Sequence, residues 1–178
     1  MEAAASAPAG VLTMIEALLG RLTYAMAWLS GASFLLLSFY MTADVIGRYM
    51  GTYYTGVTDD ISVYVLAVGG TWAMAEALRA GAHVSVDVIV HFLPARLRAV
   101  LATLSLAATT VFSAILAYYA WILAIDSHEL GTRSITMLQA PLEIPQGLMA
   151  FGLSVLTLQA LLTTLVHALG RRRARLEE

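Results

Sequence analysis

The chain has no cysteine, no lysine and few charges of either sign, and each shortage narrows what it can be. Without cysteine, a disulfide framework and a thiolate-built zinc site are both excluded. Only 12% of its 178 residues are charged and 60% are hydrophobic, far from the balance of a soluble domain, which cannot cover that much apolar surface. A net charge of -2 leaves no basic footprint for nucleic acid. Absent too are a phosphate loop, a nucleophile elbow and a zinc-protease motif, so the sequence offers no residues for enzyme chemistry and calls for no cofactor. No internal repeat suggests two inverted halves, the usual build of a self-sufficient carrier.

What the chain does have is long uncharged runs. Four segments reach the roughly 20 residues that cross a hydrocarbon core: 22–43, about 60–78, 99–125 and 144–166. The expected fold is therefore all-α, a single polytopic membrane domain of four transmembrane helices. The second span is the shortest, with Asp60 and Glu76 at the two headgroup levels. Residues 1–10, rich in alanine, read as an irregular lead, and the first span reads as an uncleaved helix rather than a signal peptide.

Arginine placement sets the expected orientation. Arg21, Arg79, Arg96, Arg98 and the tail residues Arg171, Arg172, Arg173 and Arg175 fall on one side of these spans; Arg48 and Arg133 fall on the other. The positive-inside rule then puts both termini, the loop after span two and the basic tail 170–178 in the cytoplasm. The acidic loops, with Asp59, Asp60, Asp126 and Glu129, face outward.

In lipid, small residues and shared hydrogen bonds must supply much of the helix association. Gly69, Ala73, Ala77 and Gly81 recur every fourth residue in span two, and Ser105, Thr109, Ser113 and Ala117 do so in span three. Such stripes serve a four-helix bundle or the docking of another membrane protein. Gln159, Thr163 and His167 follow one another on span four, a pattern for interhelical hydrogen bonds.

Charged pairs gather at the span ends. Asp44 and Arg48 are one turn apart at the end of span one, spaced for an ion pair that fixes helix depth or meets another subunit. Thr58, Asp59 and Asp60 read as the entry of span two, with Thr58 or Asp59 as cap and the acids at the positive end of the helix dipole. Between spans two and three, Arg79, His83, Asp87 and His91 recur every four residues beside Val84, Val88 and Phe92. This predicts an amphipathic interfacial helix over about 82–93, ended by Pro94. His83 and His91 would lie about 12 Å apart on it, too far for one metal. All four histidines fall at helix ends or in loops, unlike the paired core histidines of a haem-binding bundle. An autonomous dimeric exporter would need a titratable acid within the membrane, for which Glu76 is the one candidate.

The segment 70–98 then carries a resemblance. Gly70, Arg79, Gly81, His83, Asp87, Leu93, Pro94 and Arg98 match the positions at which small membrane subunits of tripartite ATP-independent periplasmic (TRAP) transporters have a glycine, Arg-x-Gly-x-His, an aspartate after a hydrophobic alternation, and Leu-Pro before basic residues. Asp44 to Tyr49 resembles that family's close to the first helix, and Thr58, Asp59 and Asp60 its Thr-Glu-Glu entry to the second. Val57 stands where an aromatic is common, and Glu143 where tryptophan often is. The resemblance covers most of the chain. It implies a bacterial inner-membrane subunit whose partners are a large membrane subunit, carrying the substrate and sodium sites, and a soluble periplasmic substrate-binding protein. The small subunit adds helices to the static scaffold while the transport domain moves, and organic acids are the family's usual cargo.

Overall fold

A computed structural model of the chain describes residues 7–51, 56–81, 94–136 and 139–176. It is helical throughout, with α1 at Ala7–Tyr49, α2 at Thr58–Arg79, α3 at Ala95–Glu129 and α4 at Glu143–Leu176. No strand occurs among the described residues; a lone bridge joins Arg133 to Pro141. All four helices are long and apolar enough to cross a membrane, so the chain is a multi-pass membrane protein. The expected interfacial helix over 82–93 lies outside the described residues.

The helices are longer than the spans expected from apolar runs alone. At about 1.5 Å per residue the 22 residues of α2 give roughly 33 Å, close to the ~30 Å hydrocarbon thickness. The 43 residues of α1, 35 of α3 and 34 of α4 exceed it by half or more. Helix α1 begins at Ala7, inside the lead expected to be irregular, because nothing between Ala7 and Arg21 breaks a helix: Pro8 sits in the first turn, where its missing N–H costs nothing.

The four helices do not close into a bundle. Helix α1 packs antiparallel on α2, α2 runs parallel to α4, and α4 packs antiparallel on α3, while α1 barely reaches α4. The order in space is α1–α2–α4–α3, an open row. Within its most apolar window α4 is 39% buried, whereas α3, at the edge of the row, is 11% buried.

Each seam has its own chemistry. Between α1 and α2, the Phe34 ring lies against Gly69, where a Cβ would sit 2.7 Å from its Cε1. Between α2 and α4, the Trp72 indole N–H donates to the Leu148 carbonyl at 2.9 Å. Its ring meets Phe151 edge-on at 6.3 Å between centroids. Between α4 and α3, the Trp121 indole N–H donates to Ser154 Oγ at 3.0 Å, and the Thr110 and Thr164 hydroxyls are 3.2 Å apart. Interhelical hydrogen bonds of this kind contribute about 0.6 kcal/mol on average and at most about 1.7. Trp121→Phe, which keeps the ring and removes the donor, is expected to lower thermal stability in detergent by an amount in that range. An unchanged unfolding midpoint would show that Ser154 is not an effective acceptor.

The stripes foreseen at strict four-residue spacing are only partly the packing faces. On α3, Ser105 is exposed and the buried line runs through Ser113, Ala117, Ala120, Ala124 and Ser127, at alternating steps of four and three. Four residues turn a helix about 40° past a full circle, so a strict four-residue stripe drifts off the contact while a 4-3 alternation holds it. On α4, Gln159 donates to Thr163 Oγ1 at 3.4 Å within its own helix, not across to a neighbour. Gly81 belongs to no stripe, since α2 ends at Arg79 and Gly81 takes φ +68, its N–H donating to the Leu78 carbonyl at 3.2 Å. A side chain there meets left-handed strain of about 1–2 kcal/mol. Gly81→Ala is therefore expected to destabilise the end of α2, seen as faster amide exchange in its last turn. Gly70→Ala, where an added Cβ meets nothing within 4 Å, is expected to stabilise the same helix by up to about 1 kcal/mol.

Candidate functional site

Row geometry gathers the polar side chains at its two ends. One end carries Asp44, Asp59, Asp60, Asp126, Glu129 and Glu143; the other carries Arg21, Glu76 and Arg79.

At the acidic end, Asp44 is 1% exposed and accepts from Arg48 Nε at 2.7 Å, with Arg48 Nη2 at 2.6 Å from the same oxygen. The pair foreseen from the i, i+4 spacing forms, between a buried Asp44 and an Arg48 whose side chain is 40% exposed. Removing the exposed guanidinium takes the ion-pair partner from a buried charge, so Arg48→Ala is expected to lower the unfolding midpoint more than Asp44→Asn does. Equal losses would show that the carboxylate is held by its other surroundings.

The entry to α2 differs from the expectation. Its N-cap position is Val57, which makes no side-chain cap, and α2 begins at Thr58. Asp59 and Asp60 occupy the first turn, where the helix dipole favours negative charge, but their roles diverge. Asp59 is exposed; Asp60 is buried and accepts from Ser134 Oγ at 3.4 Å and from Thr136 Oγ1. Asp60 thereby ties the α3–α4 connection down onto α2. That connection is a short hairpin in which Ser134 N–H donates to the Ala140 carbonyl at 2.9 Å and Leu142 N–H to the Thr132 carbonyl at 3.1 Å. At its base His128, in the last turn of α3 rather than in the loop, pairs with Glu143, the first residue of α4. Each is placed where its helix dipole favours the charge it carries when ionised.

At the opposite end, Arg79 grips Glu76 through Nε–Oε2 at 2.7 Å and Nη2–Oε1 at 2.5 Å. Thr23 of α1 donates to Glu76 Oε2 at 2.7 Å. The two oxygens are thus committed to a clasp between α1 and α2. Thr23, Ser134, Thr136 and Trp72 were not singled out from the sequence: each is an ordinary residue whose role depends on a partner more than fifty positions away.

Of the remaining sequence candidates, Pro94 holds the N-cap position of α3 with an extended ψ of 146°, a natural helix start. Arg98 lies in the first turn of α3. His83 and Asp87 lie outside the described residues. No group of three or more metal-ligating side chains occurs among the described residues.

Among the described residues, apolar hollows interrupt the faces of the row. One, of about 490 Å³, lies over α2 between α1 and α4, against Tyr64, Gly69, Trp72 and Pro145. Another, of about 380 Å³, runs along α1 from Tyr24 to Leu35 and is closed at one end by Glu76.

Compared with protein families, residues 37–170 match the model described as "Tripartite ATP-independent periplasmic transporters, DctQ component". No curated protein and no solved structure matches the chain. The family match begins inside α1 and ends in the last part of α4, so it spans all three seams of the row.

Proposed function

Because the chain belongs to the DctQ component family of tripartite ATP-independent periplasmic transporters, we propose that it is the small, non-catalytic scaffold subunit of a sodium-coupled secondary transporter for organic acids. In this reading it packs against the large membrane subunit and anchors it in the bilayer. The observation that carries the reading is the open row: a wall of four helices only one thick, with broad apolar faces and its described ion pairs at the two ends. A wall presents lateral area to a moving neighbour and to lipid. A carrier must enclose a site between halves that move.

The arginine distribution supports a bacterial inner-membrane location with both termini cytoplasmic. The acidic end then faces the soluble substrate-binding protein, met directly through the outer connections or indirectly through the large subunit. Arg79, Gly81, His83, Asp87, Pro94 and Arg98 would form the cytoplasmic border of the scaffold. Asp44, Arg48, Asp59 and Asp60 would form the outer border, and Gly70 an open point on α2.

The test is recovery of the tagged chain from its native membranes in mild detergent, with mass spectrometry of what accompanies it. A stoichiometric, larger polytopic protein is the expected result. A homodimer alone, together with transport by this chain in proteoliposomes that Glu76→Gln abolishes, would replace the scaffold by a small exporter.

A further inference from the structure

The hollow along α1 has a chemical polarity that the larger one lacks. Arg21, Tyr24, Trp28, Gly31 and Leu35 recur at alternating steps of three and four, one continuous exposed face of α1. Its apolar part is wide open: Tyr24 is 54% exposed, Trp28 66% and Leu35 59%. The two aromatic rings meet edge-on at 6.3 Å, and between them and Leu35 the small residues Gly31 and Ala32 leave the trough. At the arginine-rich end, Glu76 closes the trough and carries Arg79 with it; the Arg79 guanidinium lies 3.5 Å from where a Cβ on Gly20 would be, beside Arg21 in the chain. Arg21 is exposed, and among the described residues no carboxylate forms an ion pair with it.

From this arrangement we infer that the α1 trough seats one phospholipid with a net anionic headgroup, its phosphate on Arg21 and the outer edge of Arg79 and one acyl chain laid over Gly31 between Trp28 and Leu35. The charges decide the headgroup. Glu76 neutralises one guanidinium, which leaves Arg21, one helical turn before Tyr24 on the same face, as a cation with no ion pair among the described residues, complementary to a headgroup of net charge −1. The length agrees: from Arg21 to Leu35 is fourteen residues, about 21 Å, enough for a phosphate and most of one acyl chain. Tyr24 and Trp28 stand just below the arginines, the depth at which aromatic rings sit under headgroups. A neighbouring protein helix would instead have to cover the exposed Arg21 or reach past it.

The full chain, purified in mild detergent with whatever partner it retains, is given phosphatidylglycerol or phosphatidylcholine of identical acyl chains and examined by native mass spectrometry. Wild type is expected to retain phosphatidylglycerol about fivefold better. Arg21→Gln is expected to bring the two lipids level without reducing the phosphatidylcholine adduct. Gly31→Leu fills the trough where an added Cβ meets nothing within 4 Å, and is expected to reduce both adducts while the fold is kept. Equal retention by wild type, or an adduct indifferent to Gly31→Leu, overturns the assignment. So does a Gly31→Leu protein that keeps its lipid but sheds a co-purifying membrane partner, because the trough is then a protein contact. Neither result bears on whether such a partner exists, which is read from the wild-type preparation.

Discussion

Gly152→Val is expected to part α4 from α2 and to produce a large loss of stability. A Cβ at this position would sit 2.6 Å from Trp72 Cδ1, 2.9 Å from Thr71 Oγ1 and 3.2 Å from Thr71 Cβ. The Thr71 hydroxyl cannot swing away freely, since it donates to the Ala67 and Val68 carbonyls at 3.0 and 2.9 Å. Nor can the indole, whose N–H is held on the Leu148 carbonyl at 2.9 Å. Relief must come from moving one helix off the other, which also loses that hydrogen bond. Overpacking of this kind costs about 1–3 kcal/mol and the hydrogen bond up to about 1.7, together about 3 kcal/mol for valine. The measurement is thermal unfolding in detergent, alongside Gly147→Val, where an added Cβ meets nothing within 4 Å. Because α2 and α4 are the middle pair of the row, their parting is also expected to halve or abolish recovery of the proposed large membrane subunit. Trp72→Ala in the Gly152→Val background removes the atom that clashes, so it is expected to restore part of the stability. If it restores none, the indole is not what the glycine accommodates.

That contact shows where sequence reading stops. Four spans were legible because an uncharged run of about 20 residues has few uses other than crossing a bilayer. Their ends were not, because hydrophobicity marks where lipid stops and not where a helix does; α1 continues through Glu16 and Arg21 without a break. The order α1–α2–α4–α3 was hidden for a related reason. Helices apolar all round carry little directional signal, and the glycines that fix the seams, Gly69 and Gly152, look like any other small residue in a span. The charged ends were read better. Asp44 and Arg48 are neighbours on one helix, so their spacing alone predicts the ion pair. Local spacing also located Asp59 and Asp60 at the start of α2, but which of them is buried is decided by Ser134 and Thr136, more than seventy residues on. His128 and Glu143 meet only because the connection between α3 and α4 folds back on itself.

Asp60→Ala is expected to free the α3–α4 connection, and its neighbour Asp59 supplies the comparison. The two acids share the dipole of the same helix turn and differ in one respect: Asp60 is 8% exposed beneath the hairpin, whereas Asp59 points out. Without the carboxylate, Ser134 and Thr136 lose a common buried acceptor, a cost of about 1–3 kcal/mol concentrated on one short segment. The hairpin keeps its own backbone bonds and the His128–Glu143 clasp at its base, so the expected response is local opening rather than global unfolding. Arg133, exposed in that hairpin, makes the opening measurable by limited trypsin digestion of the chain in detergent. Cleavage after Arg133 is expected to accelerate at least about tenfold in Asp60→Ala, the ratio that corresponds to about 1.4 kcal/mol of local stability. In Asp59→Ala it is expected to stay at the wild-type rate. Equal acceleration in both would show that the first-turn charge, not the buried tether, holds the connection. An Asp60→Asn protein separates these further: the amide oxygen still accepts one hydroxyl while the charge is gone, so cleavage intermediate between wild type and Asp60→Ala identifies the hydrogen bonds as the tether.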